Sequence, residues 1–226
     1  MIDFEYYNPA KIIFGKDSIT KLGELLVENG ATKLLLVYSG EFIKPLGIYD
    51  AVKNAAKENG IEFYENGNVV PNPSIELVRE LVNEGKEKGV DFILAVGGGS
   101  SIDTAKAIAL GIPYDGDVWD FFEKGINPEH VLNIGVISTL PASGSETSNA
   151  AILSNKEWKL GFEDTRIIPK FAIMNPEYTL GLPRFQTSAG VADILSHLLE
   201  RYFSDVTNTD VTEDLSEGAG KAGMVN

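Results

Sequence analysis

Three groups of residues in this 226-residue chain have types and spacings that could do chemistry. The first is Val96-Gly97-Gly98-Gly99-Ser100-Ser101-Ile102-Asp103-Thr104-Ala105-Lys106, which follows an apolar run and opens an apolar-periodic one. Three glycines remove every Cβ between a strand end and a helix start. A ligand can then approach the backbone closely, and the free N–H groups and the positive end of the helix dipole face an arriving anion. A dinucleotide pyrophosphate fits. The run is not G-x-G-x-x-G, because position 102 is Ile, so the argument from an acid about 20 residues further on does not transfer. A tight glycine-rich βα turn without a ligand is the plain alternative.

The second group consists of loops that would open on the same cleft if the sheet is parallel, since ligands sit outside the carboxyl ends of such strands. Thr139-Leu140-Pro141-Ala142-Ser143-Gly144-Ser145-Glu146-Thr147 places four hydroxyls and a glycine in one loop, able to hydrogen-bond ribose or phosphate without carrying charge. Pro71-Asn72-Pro73 holds an amide between two prolines, which also suits a rigid entry to a helix at Ser74. The third group is Asp193 and His197, four apart and therefore about 40° apart on one helix face. They could converge on one ion, or simply hydrogen-bond to each other at the surface. A transition metal in a catalytic site takes three or more protein ligands. The remaining histidine, His130, sits in a loop after Asn127-Pro128 and is a poor candidate.

The elements that must position these groups follow from hydropathy. Short apolar runs at 33–38, 61–64, 91–96, 133–138 and 171–174 read as strands, and amphipathic stretches at 18–29, 46–59, 75–88 and 101–110 as helices. Ser18 and Ser74 are candidate N-caps, and Gly30, Gly60 and Gly89 candidate stops. The alternation predicts an α/β fold: a Rossmann-like, mostly parallel sheet with flanking helices. Residues 150–154 and 158–163 predict an antiparallel hairpin appended to that sheet. After Pro176 and Pro183 the period turns helical, with Val191, Ile194, Leu195, Leu198, Leu199 and Tyr202 on one face. This predicts a dinucleotide-binding domain over 1–180 and the incomplete start of an all-helical domain over 181–226.

Composition bounds the function. The chain has no cysteine, which excludes thiolate nucleophiles, disulfides and Cys-based metal sites and suits a reducing cytoplasm. A net charge of −14 without a basic cluster argues against nucleic acid and anionic membranes. No run approaches the roughly 18 apolar residues of a membrane span, and the start lacks the apolar core of a signal peptide.

The ordered series NPAKIIFG, VPNPSIE, VGGGSSIDTAKAIA, STLPASGSETSNAAILSN, PKFAIMNPEYTLGLP and GVADILSHLLERYF, from about residue 2 to 212, resembles the iron-containing alcohol dehydrogenase family, most of all its butanol-dehydrogenase-type members. The resemblance implies a nucleotide-binding domain and a helical domain, with iron(II) or sometimes zinc between them. It also implies reversible NAD(P)-linked oxidation of a small primary alcohol to an aldehyde. It gives Gly98, Gly99 and Ser100 to the pyrophosphate, places Asp103 near the nicotinamide, and assigns Asn72, Thr139, Leu140, Ser143, Lys159 and Thr179 to the cofactor. Asp193 and His197 match two metal ligands, and therefore the catalytic pair, because the metal would bind the alcohol oxygen as a Lewis acid. The family's other two ligands are histidines further along, which this sequence does not contain. The expectation is a truncated or split gene product, inactive alone unless a homodimer or a complementing C-terminal chain supplies the missing donors. A catalytically dead nucleotide-binding module is the alternative. A glycerol-dehydrogenase or dehydroquinate-synthase relative is disfavoured by STLPASGSE and by the Asp193/His197 pair. Where butanol-type relatives carry GGGS, this chain reads Ser39-Gly40-Glu41-Phe42. A carboxylate at Glu41 would repel a 2′-phosphate and tilts the choice toward NAD over NADP.

Overall fold

The structure, a computed structural model, describes residues 7–203. The chain divides into two compact units, one spanning Pro9–Gly181 and the other containing the helix that follows.

The first unit is built on eight strands: β1 (Lys11–Phe14), β2 (Lys33–Tyr38), β3 (Glu62–Asn66), β4 (Phe92–Gly97), β5 (Asn133–Ser138), β6 (Ala150–Asn155), β7 (Trp158–Glu163) and β8 (Phe171–Met174). Its helices are α1 (Leu22–Glu28), α2 (Ile48–Glu58), α3 (Ile75–Lys88), α4 (Gly99–Gly111) and α5 (Trp119–Lys124). Six strands form one sheet in the order β1-β8-β5-β4-β2-β3, with every neighbouring pair parallel. The central strand β4, FILAVG, is buried along its whole length, because helices cover both sheet faces. On one face Leu35, Ile93, Ala95 and Val136 pack against apolar residues of α3 and α4. On the other, Leu34, Leu94, Val96 and Ile173 pack against α1 and α2.

The predicted parallel α/β sheet is therefore present, with several corrections. β1 is missing from the expectation, because KIIF is short and its side chains lie largely exposed at the sheet edge. α5 is also unanticipated. The hairpin β6–β7 does not extend the sheet: it forms a separate two-stranded sheet that packs on α4 and α3. Ser18 is not an N-cap. It lies inside a 3₁₀ turn (Ser18–Lys21) ahead of α1, and its buried hydroxyl has no hydrogen-bond partner among the described residues. Ser74 does cap α3, its Oγ accepting from the Leu77 amide at 3.4 Å. Gly30, Gly60 and Gly89 end α1, α2 and α3 at φ between 67° and 75°, where glycine is unstrained.

The second unit carries α6 (Arg184–Phe203). The predicted apolar face is there and lies exposed among the described residues: Val191 is 53%, Leu195 52%, and Leu199 50% exposed.

Candidate nucleotide site and acid–base pair

An all-parallel sheet sends every strand's carboxyl end to one edge. Here β2 leads to β3 on one side while β4 returns on the other, so the strand order reverses between β2 and β4, where open α/β sheets bind ligands. The glycine turn stands at that point. Gly98 is the N-cap of α4, and no side chain caps the helix, which leaves its first amides available to a ligand. Gly97 has φ +149°, and a Cβ there would collide with Ser101. The turn is pinned to the loop after β5 by the Thr139 amide, which donates to the Gly97 carbonyl at 3.1 Å. A Cβ on Gly98 would lie 3.2 Å from Leu140 Cβ, and one on Gly99 would lie 2.7 Å from Ser143 Oγ. Gly98, Gly99, Ser100, Thr139, Leu140 and Ser143 are thus brought together as one bare-backbone crevice. Ser39, two residues before Glu41, also borders it, its Oγ 3.9 Å from the Cβ position of Gly97. Glu41 itself is exposed and ion-paired with Lys44.

The β6–β7 hairpin supplies a second cluster. Asn72, at φ 59°, accepts through Oδ1 from Lys159 Nζ at 3.0 Å, and the Ser154 amide donates to the Pro73 carbonyl at 2.8 Å. Asp103, one turn into α4, accepts from Ser145 Oγ at 2.6 Å and from the Ile152 amide at 3.2 Å. Burial raises the Asp103 pKa above the usual carboxylate value, opposed by the Ser145 hydrogen bond and by Lys106.

Lys106 is the residue that sequence reasoning missed. It is 0% exposed, and its ammonium donates to Ser145 Oγ at 3.0 Å and to the carbonyls of Ser148 at 2.8 Å and Ala150 at 2.7 Å. All three N–H groups are used. Burial pushes its pKa down to about 8, against the raising effects of Asp103 and Glu146. The signal was available: a lysine within the apolar run Ala105–Leu110, one turn from an aspartate, needs a buried partner.

Thr179, Asp193 and His197 lie on other elements. Thr179 follows β8, two strands from β4 in the sheet, and its hydroxyl donates to the Pro176 carbonyl at 2.8 Å. Asp193 and His197 lie on α6 in the other unit. Their Oδ1 and Nε2 atoms are 3.7 Å apart, too far for a hydrogen bond, and both side chains are about half exposed. Among the described residues no group of three or more His, Cys, Asp or Glu could hold a metal ion. Asp193 and His197 are two donors, short of a catalytic metal's complement. His130 lies in an irregular, exposed stretch before β5.

Comparison with known proteins shows which family the chain resembles. Residues 9–176 match the family described as iron-containing alcohol dehydrogenase. The chain is 44% identical over 219 residues to NADH-dependent butanol dehydrogenase A of Clostridium acetobutylicum, covering 96% of this chain and 56% of that protein. It is 34% identical over 223 residues to an NADPH-dependent aldehyde reductase of Escherichia coli, covering 96% of this chain and 57% of the relative. The crystal structure of NADH-dependent butanol dehydrogenase A from Thermotoga maritima superposes with a TM-score of 0.86 at 38% identity, over 97% of this chain and 55% of that one. The chain therefore spans a little over half the length of the relatives it matches. On these grounds it belongs to the iron-containing alcohol dehydrogenase family.

Proposed function

We propose that residues 1–180 form a dinucleotide-binding domain for NAD(P), and that 181–226 begin a helical domain bearing one part of an iron(II) or zinc site. The uncapped α4 amides at the strand-order reversal, with Leu140 and Ser143 packed close to bare glycines, carry this reading. Gly98, Gly99 and Ser100 receive the pyrophosphate without a cationic side chain, the helix dipole opposing its charge. Thr139 and Ser143 offer hydroxyls, Leu140 offers an apolar wall, and the tethered Asn72–Lys159 pair faces the nicotinamide end with Asp103. Thr179 closes the β8 side. Bound nicotinamide supplies the hydride acceptor or donor, so the reaction class is reversible oxidation of a small primary alcohol to an aldehyde, of butanol-dehydrogenase type.

The described residues do not make up a metal site. Asp193 and His197 would contribute an oxygen and a nitrogen donor, and a complete site would need further donors beyond the described residues. We therefore read this stretch as nucleotide-competent and unable to turn over alcohol by itself. Cytoplasmic location accords with the absence of cysteine. Among the described residues no helix is long and apolar enough to cross a membrane.

NAD is favoured over NADP. Glu41 opposes a 2′-phosphate, although Lys44 offsets part of its charge, and four relatives at 41% to 44% identity carry NADH in their names. The test is titration of the 226-residue chain with NADH and NADPH, followed by a 1-butanol oxidation assay with added iron(II) or zinc. NADH binding without turnover supports the reading. No binding of either nucleotide refutes the domain assignment, turnover by the chain alone refutes the incomplete metal site, and tighter NADPH binding refutes the role of Glu41.

A further inference from the structure

We propose that Asn66-Gly67, at the end of β3, is a spontaneous modification site: the Asn66 side chain deamidates through a succinimide and leaves an aspartyl or isoaspartyl linkage against the Ser39–Glu41 stretch beside the glycine crevice. The chemistry depends only on this chain, whereas its effect on a bound nucleotide rests on the nucleotide reading above.

The sequence holds three Asn-Gly pairs: Asn29-Gly30, Asn59-Gly60 and Asn66-Gly67. Glycine has no Cβ to hinder ring closure, so the dipeptide alone makes all three candidates. The fold separates them. Asn29 and Asn59 are the C-caps of α1 and α2, and each Nδ2 donates at 2.8 Å to a carbonyl four residues back, Leu25 and Ala55. The Gly30 and Gly60 amides donate to the carbonyls of Val27 at 3.0 Å and Lys57 at 3.3 Å. In both pairs the attacking nitrogen and the leaving nitrogen are engaged. Asn66 differs. It ends β3, the edge strand, and the Gly67 amide has no hydrogen-bond acceptor among the described residues. Asn66 Oδ1 accepts from the Asn68 amide at 2.9 Å, which polarises the side-chain carbonyl and would steady the oxyanion formed on attack. Packing requires the glycine, since a Cβ there would lie 2.6 Å from the Tyr38 ring.

The Gly67 nitrogen gives its proton to hydroxide and attacks Asn66 Cγ. An N–Cγ bond forms, the Cγ–Nδ2 bond breaks, and ammonia leaves, taking its proton from water. Water then opens the five-membered ring at either carbonyl, so the net change is amide plus water to carboxylate plus ammonium. The product enters acidic surroundings: Glu65 and Glu41 already act on the Tyr38 hydroxyl, with Lys44 opposing them, and a third carboxylate would join them. The backbone is affected as well. The Gly67 carbonyl accepts from the Gly40 amide at 3.1 Å, and Asn68 bridges to Ser39, whose Oγ borders Gly97. The extra methylene of an isoaspartyl backbone would pull those links out of register at the crevice wall.

The test incubates the full chain at pH 8 and 37 °C and follows it by peptide mass mapping and by enzymatic methylation of isoaspartate. In the folded chain, conversion at Asn66 should be at least tenfold faster than at Asn29 or Asn59, and in urea the three rates should become similar. Asn66→Gln, which would have to close a larger ring, should stay homogeneous and bind NADH as the fresh parent does. Asn66→Asp and the aged parent should both bind NADH several-fold more weakly. Conversion at Asn66 no faster than at the two helix ends overturns the site. Unchanged NADH affinity in both Asn66→Asp and the aged parent overturns its effect on the crevice. A fresh parent that binds no NADH overturns the nucleotide reading and that effect with it, while the mass map still decides the modification.

Discussion

Two acid–base pairs stand one turn apart on their helices and live in opposite surroundings. Asp103 and Lys106 are enclosed between α4 and the β6–β7 hairpin, with every Lys106 donor engaged. Asp193 and His197 face solvent at 3.7 Å. Similar helical spacing thus yields a structural fastener in one place and two loosely placed donors in the other. Burial makes the difference. A charge enclosed by protein must be matched atom by atom, whereas water supplies whatever a surface group lacks.

The largest expected effect breaks the buried pair from one side. Lys106→Met should cost about 3–5 kcal/mol of stability by urea denaturation, because Asp103 is left buried without its cation. Adding Asp103→Leu should restore most of that loss. Next comes pH. The Lys106 pKa is lowered from 10.5 to about 8 in the folded chain, so between those values the unfolded state holds more protons. Its contribution is unfavourable below pH 8 and is relieved as pH rises toward 10.5, by roughly 3 kcal/mol in all. Stability of the parent relative to Lys106→Met should therefore rise across that window, and a constant difference would count against a depressed lysine.

Smaller effects sharpen the contrast at the glycine turn. Gly97→Ala should destabilise by about 1–3 kcal/mol in a thermal melt, since φ +149° and the Ser101 side chain both oppose a Cβ. Gly98→Ala should leave the melt within about 1 kcal/mol yet weaken NADH binding, because its added methyl occupies space beside Leu140. At the exposed end of the comparison, Asp193→Ala should change stability by less than about 0.5 kcal/mol. A larger loss would mean that α6 depends on this pair.

The sheet was legible because its central strands are uninterrupted apolar runs, and α3 because Ser74 and Gly89 punctuate it. β1 was not, since KIIF lies at an edge where one neighbour and partial burial leave little pattern to read. The hairpin's strands could be read but not its attachment, which depends on α4 offering Lys106 and Asp103 to backbone groups some 40 residues later. The glycine crevice could be located from its motif. Its closeness to Leu140 and Ser143 follows from strand order, which local sequence does not encode. Asp193 and His197 were visible as a pair from their spacing, but spacing carries no information about further donors.

Strand β1 also bears on how the domain is made. It sits at the end of the sheet and pairs with β8, Lys11 opposite Phe171 and Phe14 opposite Met174. During synthesis the first strand must wait unpaired until nearly the whole unit has emerged, since its neighbour is the last strand to appear. The end of the sheet is then completed by a late closure of a loop running almost the length of the unit, a slow step by the usual dependence of folding rate on sequence separation. A break in the chain anywhere between those two strands would leave that closure to chance encounter.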